Sequence, residues 1–101
     1  MSKRIKTIKN TAKVRQLTSY SSGNPVSNQF EIWTNKGYYF QSYNSIIYFC
    51  CNKTNKRYLD VNTWDYSATT GKYRNQILGE GIATTRERIK KGDYILADLN
   101  P

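Results

Sequence analysis

Three turn signals, spaced eight or nine residues apart, constrain the fold of this chain more than any other feature. They are Asn35-Lys36-Gly37, Asn44-Ser45 and Asn52-Lys53-Thr54-Asn55. Asparagine and glycine tolerate positive φ, so each signal suits a tight connection between neighbouring antiparallel strands. The pattern therefore predicts an antiparallel meander whose strands cover residues 30–33, 37–43, 46–51 and 57–61.

The strand predicted from Ile46 to Cys51 is apolar on both faces, which is typical of a central strand. One face would meet helices, and the other would meet the N-terminal arm or a partner. The chain also has nine tyrosines. Tyrosine buries a large ring and keeps a hydroxyl at the edge of the core, but it also stacks on bases and anchors protein partners. The composition therefore fits both a core and a contact surface.

Two helices are predicted after the meander. Ser67 and the threonines that follow it offer N-cap oxygens, and apolar residues at helical spacing predict a helix over 68–78. Thr84-Thr85-Arg86-Glu87 has the spacing of a capping box and predicts a short basic helix to about Lys91. Alternation from Asp93 to Leu99 predicts a last strand.

The N-terminus is basic, because residues 1–15 contain six Lys and Arg and no acid. We expect a basic arm over residues 1–13 and a strand from Val14 to Tyr20. The whole pattern predicts one α+β domain over residues 14–101. It is an antiparallel β-meander of about four to five strands, packed against one or two short C-terminal helices.

A formal charge of +9, from sixteen Lys and Arg against seven Asp and Glu, bears on partners and not on the fold. Such a charge raises encounter rates with phosphate backbones, anionic lipid and acidic proteins. Three interpretations stay open at this point. The charge serves a nucleic acid or nucleoprotein ligand, it serves an acidic protein surface, or it only solvates the chain.

Compartment is indicated by hydropathy and by the cysteines. The longest apolar run, Ile46 to Cys51, is too short to cross a bilayer, and no apolar stretch follows the N-terminal charges. Cys50 and Cys51 are adjacent, so on a strand they point to opposite faces and a bridge between them would be strained. We therefore expect no membrane contact, no export signal and a reducing, cytoplasmic setting.

The residue types disfavour catalysis. The sequence has no histidine, which removes the commonest general base, the commonest zinc ligand and every Ser-His or Cys-His pair. The seven carboxylates are scattered, and the pair considered as a metal site, Asp60 and Asp65, is better explained by capping, turn or ion-pair roles. No glycine-rich phosphate loop occurs. The sequence predicts a protein that is not an enzyme and that needs no metal or cofactor.

Basic residues alternate with aromatics in Lys36-Gly37-Tyr38-Tyr39-Phe40, Lys56-Arg57-Tyr58 and Lys72-Tyr73-Arg74. Single-strand binders use this combination, because cations follow the backbone while exposed rings stack on bases. The alternative is that aromatics fill the core and the cations form the wet face of the same strands. We predict a nucleic-acid or partner-binding site that comprises Arg4, Lys6, Lys13, Arg15, Trp33, Lys36, Tyr39, Lys56, Arg57, Lys72, Arg74, Arg86, Arg88, Lys90 and Lys91.

One segment carries a resemblance. It is Trp64-Asp65-Tyr66-Ser67-Ala68-Thr69-Thr70-Gly71-Lys72-Tyr73-Arg74-Asn75-Gln76-Ile77-Leu78, preceded by Tyr58-Leu59-Asp60. The segment resembles small uncharacterised proteins of phages, plasmids and integrated elements of Gram-positive bacteria. The resemblance implies no reaction. It implies a setting in a bacterial host cell, where small proteins of mobile elements often block a host enzyme or manage the element's own DNA.

The sequence leaves two functions open. The first is a non-enzymatic accessory protein of a phage or mobile element that binds DNA, RNA or a nucleoprotein. The alternative is an anti-CRISPR-like inhibitor of a host defence complex such as a CRISPR nuclease, in which Trp33 and Tyr39 would anchor the contact. A meander also leaves an exposed edge strand, and pairing of two such edges would give a homodimer.

Overall fold

The computed structural model describes residues 12–101, so most of the predicted arm lies outside the described residues. Ala12 and Lys13, which the sequence placed in the arm, pair with Thr34 and Trp33 and belong to the first strand. The described chain forms β1 (Ala12–Thr18), β2 (Pro25–Thr34), β3 (Gly37–Ser42), β4 (Ser45–Cys51), β5 (Arg57–Asp60), α1 (Ala68–Leu78), α2 (Ile82–Lys91) and β6 (Tyr94–Ala97).

The six strands form one sheet whose spatial order follows the chain, β1-β2-β3-β4-β5-β6. The α+β class and the short connections between neighbouring strands are confirmed. The predicted strand count of four to five is wrong, because both the N-terminal and the C-terminal segment join the sheet. Strands β1 to β5 pair antiparallel, as the turn signals predict.

The last strand departs from the meander, because β6 pairs with β5 in parallel. Two antiparallel strands need only a tight turn, whereas two parallel strands need a crossover that returns the chain to its starting end. Helices α1 and α2 form that crossover here. The order of elements along the chain does not reveal this direction, since a last strand returning to the sheet can run either way.

Helix α1 has the predicted bounds. The Ser67 hydroxyl accepts a hydrogen bond of 3.1 Å from the Thr70 amide, and Gly79 ends the helix in the left-handed conformation. Helix α2 starts three residues earlier than predicted, with Gly81 in place of Thr84 at the N-cap and no side-chain cap. The predicted capping box is wrong. Thr84, the N-cap residue of that box, lies inside the helix. The next residue, Thr85, is buried, and its hydroxyl donates a 2.7 Å hydrogen bond to Glu80 Oε2.

The core lies between the helices and one face of the sheet, which we call the helix face. Phe40, Tyr48, Leu59 and Tyr94 are buried there with Tyr73 of α1. A buried hydrogen bond of 2.8 Å between the hydroxyls of Ser42 and Thr70 joins β3 to the start of α1. At the other end of α1, the Gln76 side chain donates 2.7 Å to the Thr18 carbonyl oxygen. Helix α1 is therefore fixed at both ends to the helix face.

Candidate functional site: a basic rim and an uncharged sheet face

The register of the six strands places one side chain from each strand in a row across the face opposite the helices, which we call the open face. The paired positions are Val14, Ile32, Tyr39, Phe49, Tyr58 and Ile95. None of these residues belongs to the hydrophobic core of residues 12–101. We call this set the open-face row. The row explains why the central strand is apolar on both faces. One side of β4 fills the core, and the other side carries Phe49 of the row.

The aromatic rings in the row stack on one another. Tyr39 and Phe49 have ring centroids 4.6 Å apart and planes 25° apart, and Phe49 and Tyr58 have centroids 5.9 Å apart and planes 23° apart. Neighbouring strands are about 4.8 Å apart, so rings that stack between strands stand upright on the sheet. Their faces meet each other and their edges point outward. The row thus presents an apolar ridge and not flat ring faces on which a base could stack.

The open face carries no exposed charge within the described strands. Lys13, Arg15, Glu31 and Arg57 all lie in rows of the helix face, by the same pairing. Asp60, two residues after Tyr58, is on the open-face side of β5 but is 1% exposed. Of the aromatics in the three basic motifs, Phe40 and Tyr73 fill the core, as the alternative interpretation has it, whereas Tyr39 and Tyr58 lie on the open face. The charged strand residues lie on the helix face, where Arg15 covers the Trp33 ring and Arg57 covers the Tyr94 ring.

Asp60 is a charged strand residue that the sheet buries. Its carboxylate accepts 2.6 Å from the Thr63 hydroxyl and 2.9 Å from the Leu99 amide. Burial alone would raise the pKa of Asp60, but these bonds, with others from Asn100 and Asn62, hold it below its usual value. Asp65 instead pairs with Arg74 and Arg86. The two carboxylates that sequence left as a metal candidate hold loops in place, and no metal-ligand cluster occurs in residues 12–101.

Exposed lysines collect at one end of the sheet. Strand β1 starts at this end, the β2–β3 and β4–β5 turns lie there, and α2 finishes there just before β6. The two turns are joined by a 3.0 Å hydrogen bond from the Asn52 amide to the Lys36 carbonyl oxygen. We call the resulting set the basic rim, and it comprises Lys13, Lys36, Lys53, Lys56, Lys90 and Lys91, all exposed.

The ion pairs of the described chain do not involve the rim lysines. The pairs of the described chain are Arg15–Glu31, Arg74–Asp65, Arg86–Asp65 and Arg88–Glu80, and each uses an arginine. No rim lysine forms a salt bridge within residues 12–101. Asp93 is the acid nearest the rim along the chain. Glu31, Asp65 and Glu80 thus pair with arginines, and the six rim lysines outnumber Asp93 at that end of the sheet.

Two other predicted residues lie beside the rim. Trp33 is paired with Lys13 across β1 and β2, and its side chain is 39% exposed. The Arg15 guanidinium lies 5.7 Å from the centre of the Trp33 ring. Arg57 lies next to Lys56, but its guanidinium covers the Tyr94 ring at 4.6 Å, so it is half-buried. The structure therefore brings Lys13, Arg15, Trp33, Lys36, Lys56, Arg57, Lys90 and Lys91 to one end.

The prediction that Arg74 contacts a partner needs correction, because Arg74 is 1% exposed. Its Nη1 donates 2.6 Å to the Trp64 carbonyl oxygen, and its Nη2 donates 2.9 Å to Asn75 Oδ1. Burial lowers the pKa of this guanidinium, and the charge of Asp65 partly offsets that effect. Arg74 therefore fixes the loop before α1 and is not available to a ligand.

The remaining predicted residues are spread out. Lys72 and Arg86 lie on the helices outside the rim, Arg88 shares the last turn of α2 with Lys90 and Lys91 but pairs with Glu80, and Tyr39 lies in the open-face row. Arg4 and Lys6 lie outside the described residues. Sequence reasoning missed Lys53, although its place in a predicted turn next to Lys56 was a usable signal. It also left Phe49, Tyr58 and Ile95 out of the site, and only their strand register joins them.

The Cys51 thiol is free and lies at the end of β4, beside the rim. Hydrogen bonds from the Thr54 hydroxyl and from the amides of Thr54 and Lys53 lower its pKa. Because the thiolate is the nucleophile, we expect Cys51 to react with iodoacetamide at pH 7 several-fold faster than Cys50, which packs against the core. Mass spectrometry of Cys50→Ser and Cys51→Ser measures each thiol alone, and equal rates would contradict this expectation.

In the described part of the chain, no helix is long and apolar enough to cross a membrane. Comparison with known proteins finds one family, whose model matches residues 3–95 and whose description is a family of unknown function (DUF8033). No curated protein matches the chain, and no solved structure matches it.

Proposed function

The chain belongs to this family of unknown function, and we propose that it is a non-enzymatic protein that binds nucleic acid through phosphate contacts made by the basic rim. The observation that carries the proposal is the placement of six exposed lysines, without salt bridges in residues 12–101, at one end of the sheet. Lysine is a flexible point charge, which suits contacts with successive phosphates more than recognition of one base.

The dimensions of the rim favour a polymer. Six strands separated by five spacings of about 4.8 Å make the sheet end roughly 24 Å wide. Phosphates repeat along each strand of a duplex about every 3.4 Å, so a line of that width meets several of them. Each phosphate that a lysine neutralises releases a condensed counterion, and this release drives binding without regard to sequence.

The sequence predicted that exposed aromatic rings would stack on bases, and the structure changes this expectation. Single-strand binders stack bases on exposed ring faces, but the rings of Tyr39, Phe49 and Tyr58 cover one another. Trp33 is the exposed ring beside the rim, and Arg15 lies over its ring. We therefore expect the backbone and not the bases to dominate affinity, with duplex and single strands bound within about tenfold of each other.

The resemblance to proteins of phages and other mobile elements supports a role in managing the element's own nucleic acid inside a bacterial cell. A nucleoprotein, such as a CRISPR nuclease with its guide RNA, also displays phosphates. Affinity for free oligonucleotides separates these two ligands, because only the first proposal requires it.

The test is a pair of variants that lose the same charge at different places. Lys36→Gln/Lys53→Gln/Lys56→Gln removes three rim lysines, whereas Lys72→Gln/Arg86→Gln/Arg88→Gln removes three cations elsewhere, each from a total of +9. In fluorescence anisotropy with labelled single-stranded DNA, duplex DNA and RNA, we expect the rim variant to bind about tenfold more weakly or worse in 0.1 M salt. Its log-log salt slope should fall by about three.

The second variant is the control for net charge. It should keep the wild-type salt slope to within about one, because Lys72 lies on α1 and the other two cations are paired with Asp65 and Glu80. Equal losses in both variants would mean that total charge and not the rim determines binding. No binding of any oligonucleotide in low salt would overturn the proposal and would make a nucleoprotein the ligand to test.

A further inference from the structure

We propose that the open face is the contact surface between two copies of this chain, which pack sheet against sheet with their strands running in opposite directions. The proposal is independent of nucleic-acid binding, because it uses the open-face row and not the basic rim. It also differs from pairing of two edge strands, which the sequence suggested. Three features of the open face carry it: its lack of charge, its size and its symmetry.

Lack of charge is the first feature. A chain with a formal charge of +9 repels its own copies, so a self-contact is favourable only where charge is missing. The described strands place no exposed charged side chain on the open face, and the row from Val14 to Ile95 is aliphatic and aromatic throughout. An acidic partner would gain nothing from this surface. A second copy of the same uncharged surface matches it.

Size is the second feature. A sheet about 24 Å wide and about 17 Å long, for five residues per strand, has a flat area of roughly 400 Å². Side chains on a pleated sheet expose more area than the flat projection. Two copies therefore bury about 1,000 Å², which is the lower limit for a specific protein interface. The dimer is expected to be weak and to form in a concentration-dependent manner.

Symmetry is the third feature. A two-fold axis along the open-face row superposes the row on itself, so that Phe49 of each copy lies near Phe49 of the other. This axis reverses the strands and sends the two basic rims to opposite ends. The rims are then farther apart than the Debye length of about 8 Å at physiological salt, so their repulsion is screened. Stacked sheets about 10 Å apart and rotated by about 30° are an ordinary packing.

Edge pairing of β1 is the competing arrangement, and charge disfavours it. Antiparallel pairing of two β1 strands about Val14 places Lys13 of one copy opposite Arg15 of the other. Pairing about Lys13 or about Arg15 places each of these cations opposite itself. Like charges directly opposite each other destabilise a strand pair. The exposed charged edge thus protects β1 from self-pairing.

Neighbouring residues of β6 provide a matched test. Ile95 is 38% exposed on the open face, and Leu96 is 41% exposed on the helix face. We expect sedimentation equilibrium of nucleic-acid-free protein to show a mass that rises with concentration from 11.8 kDa toward twice that value. Ile95→Lys should weaken the dimer at least tenfold, whereas Leu96→Lys should leave the dissociation constant within about threefold.

Further controls make the outcome decisive. Circular dichroism and thermal unfolding confirm that each variant is folded, and Val14→Lys repeats the test at the other end of the row, where the side chain is 64% exposed. The Lys36→Gln/Lys53→Gln/Lys56→Gln variant should still dimerise, so failure of one proposal is separable from failure of the other. A single species of 11.8 kDa up to the solubility limit would overturn the inference, as would equal weakening by Ile95→Lys and Leu96→Lys.

Discussion

Replacing Gly37 by alanine is expected to lower the free energy of unfolding by about 3 kcal/mol or more. A Cβ at this position would overlap the carbonyl oxygen of Cys50 and lie 2.9 Å from Cε1 of Phe49. The carbonyl belongs to the backbone of β4, which is paired on both sides and cannot move away without breaking the sheet. Urea unfolding followed by tryptophan fluorescence measures the change.

Gly71→Ala is the control for this substitution. Gly71 lies within α1, where an added Cβ would make ordinary contacts of 3.6 Å and longer with the Arg74 guanidinium. Alanine in a helix interior is favoured over glycine by up to about 1 kcal/mol, so this variant should be as stable as the wild type or more stable. A Gly37→Ala protein within about 0.5 kcal/mol of the wild type would contradict the close approach of β3 and β4.

Replacing Arg74 by alanine is the second large change, with an expected loss of about 2–4 kcal/mol. The buried guanidinium holds the Trp64 carbonyl oxygen and the Asn75 side chain, and it lies 5.4 Å from the Trp64 ring centre. Its loss leaves a buried carbonyl without this donor and a cavity beside Trp64. Arg74→Lys should recover little, because one ammonium group cannot reproduce the forked contacts.

Arg86→Ala separates burial from charge. Arg86 also pairs with Asp65, at 3.4 Å, but its side chain is 61% exposed. Exposed pairs contribute about 0–1 kcal/mol, so this variant should unfold almost like the wild type in the same urea assay. Equal losses from Arg74→Ala and Arg86→Ala would show that the charge of Asp65, and not the buried contacts of Arg74, governs stability.

Much of the fold could be predicted from the sequence. The turn signals located the β2–β3, β3–β4 and β4–β5 connections, and Ser67 with Gly79 marked the ends of α1. These features depend on residues close together in the chain, since a positive φ or a cap is decided within a few positions. The start of α2 was predicted wrongly, because it depends on tertiary packing. The predicted N-cap, Thr84, lies inside the helix, and the next residue, Thr85, is buried with its hydroxyl on Glu80. The spacing of residues does not show this burial.

The candidate site could be predicted only in part. Basic residues and aromatic residues were both recognised, but the sequence could not say that the exposed lysines collect at one end of the sheet while Tyr39 and Tyr58 stack with Phe49 on the open face. For the same reason the sequence wrongly predicted that Arg74 contacts a ligand, although its guanidinium is bonded to Trp64 and Asn75. Nothing in the segment Lys72-Tyr73-Arg74 distinguishes the buried Arg74 from the exposed Lys72.

The sequence by itself determined the α+β class, the meander through β5, the first helix and the excess of positive charge, because these follow from residue types and short-range spacing. Only the tertiary structure decided that β6 runs parallel to β5, that six lysines without salt bridges in residues 12–101 share one end, and that the open face carries no exposed charge within the described strands. The physical reason is that strand register joins residues far apart in the chain. A register shift of one residue in any strand would move the side chains of that strand to the opposite face and would interrupt the open-face row.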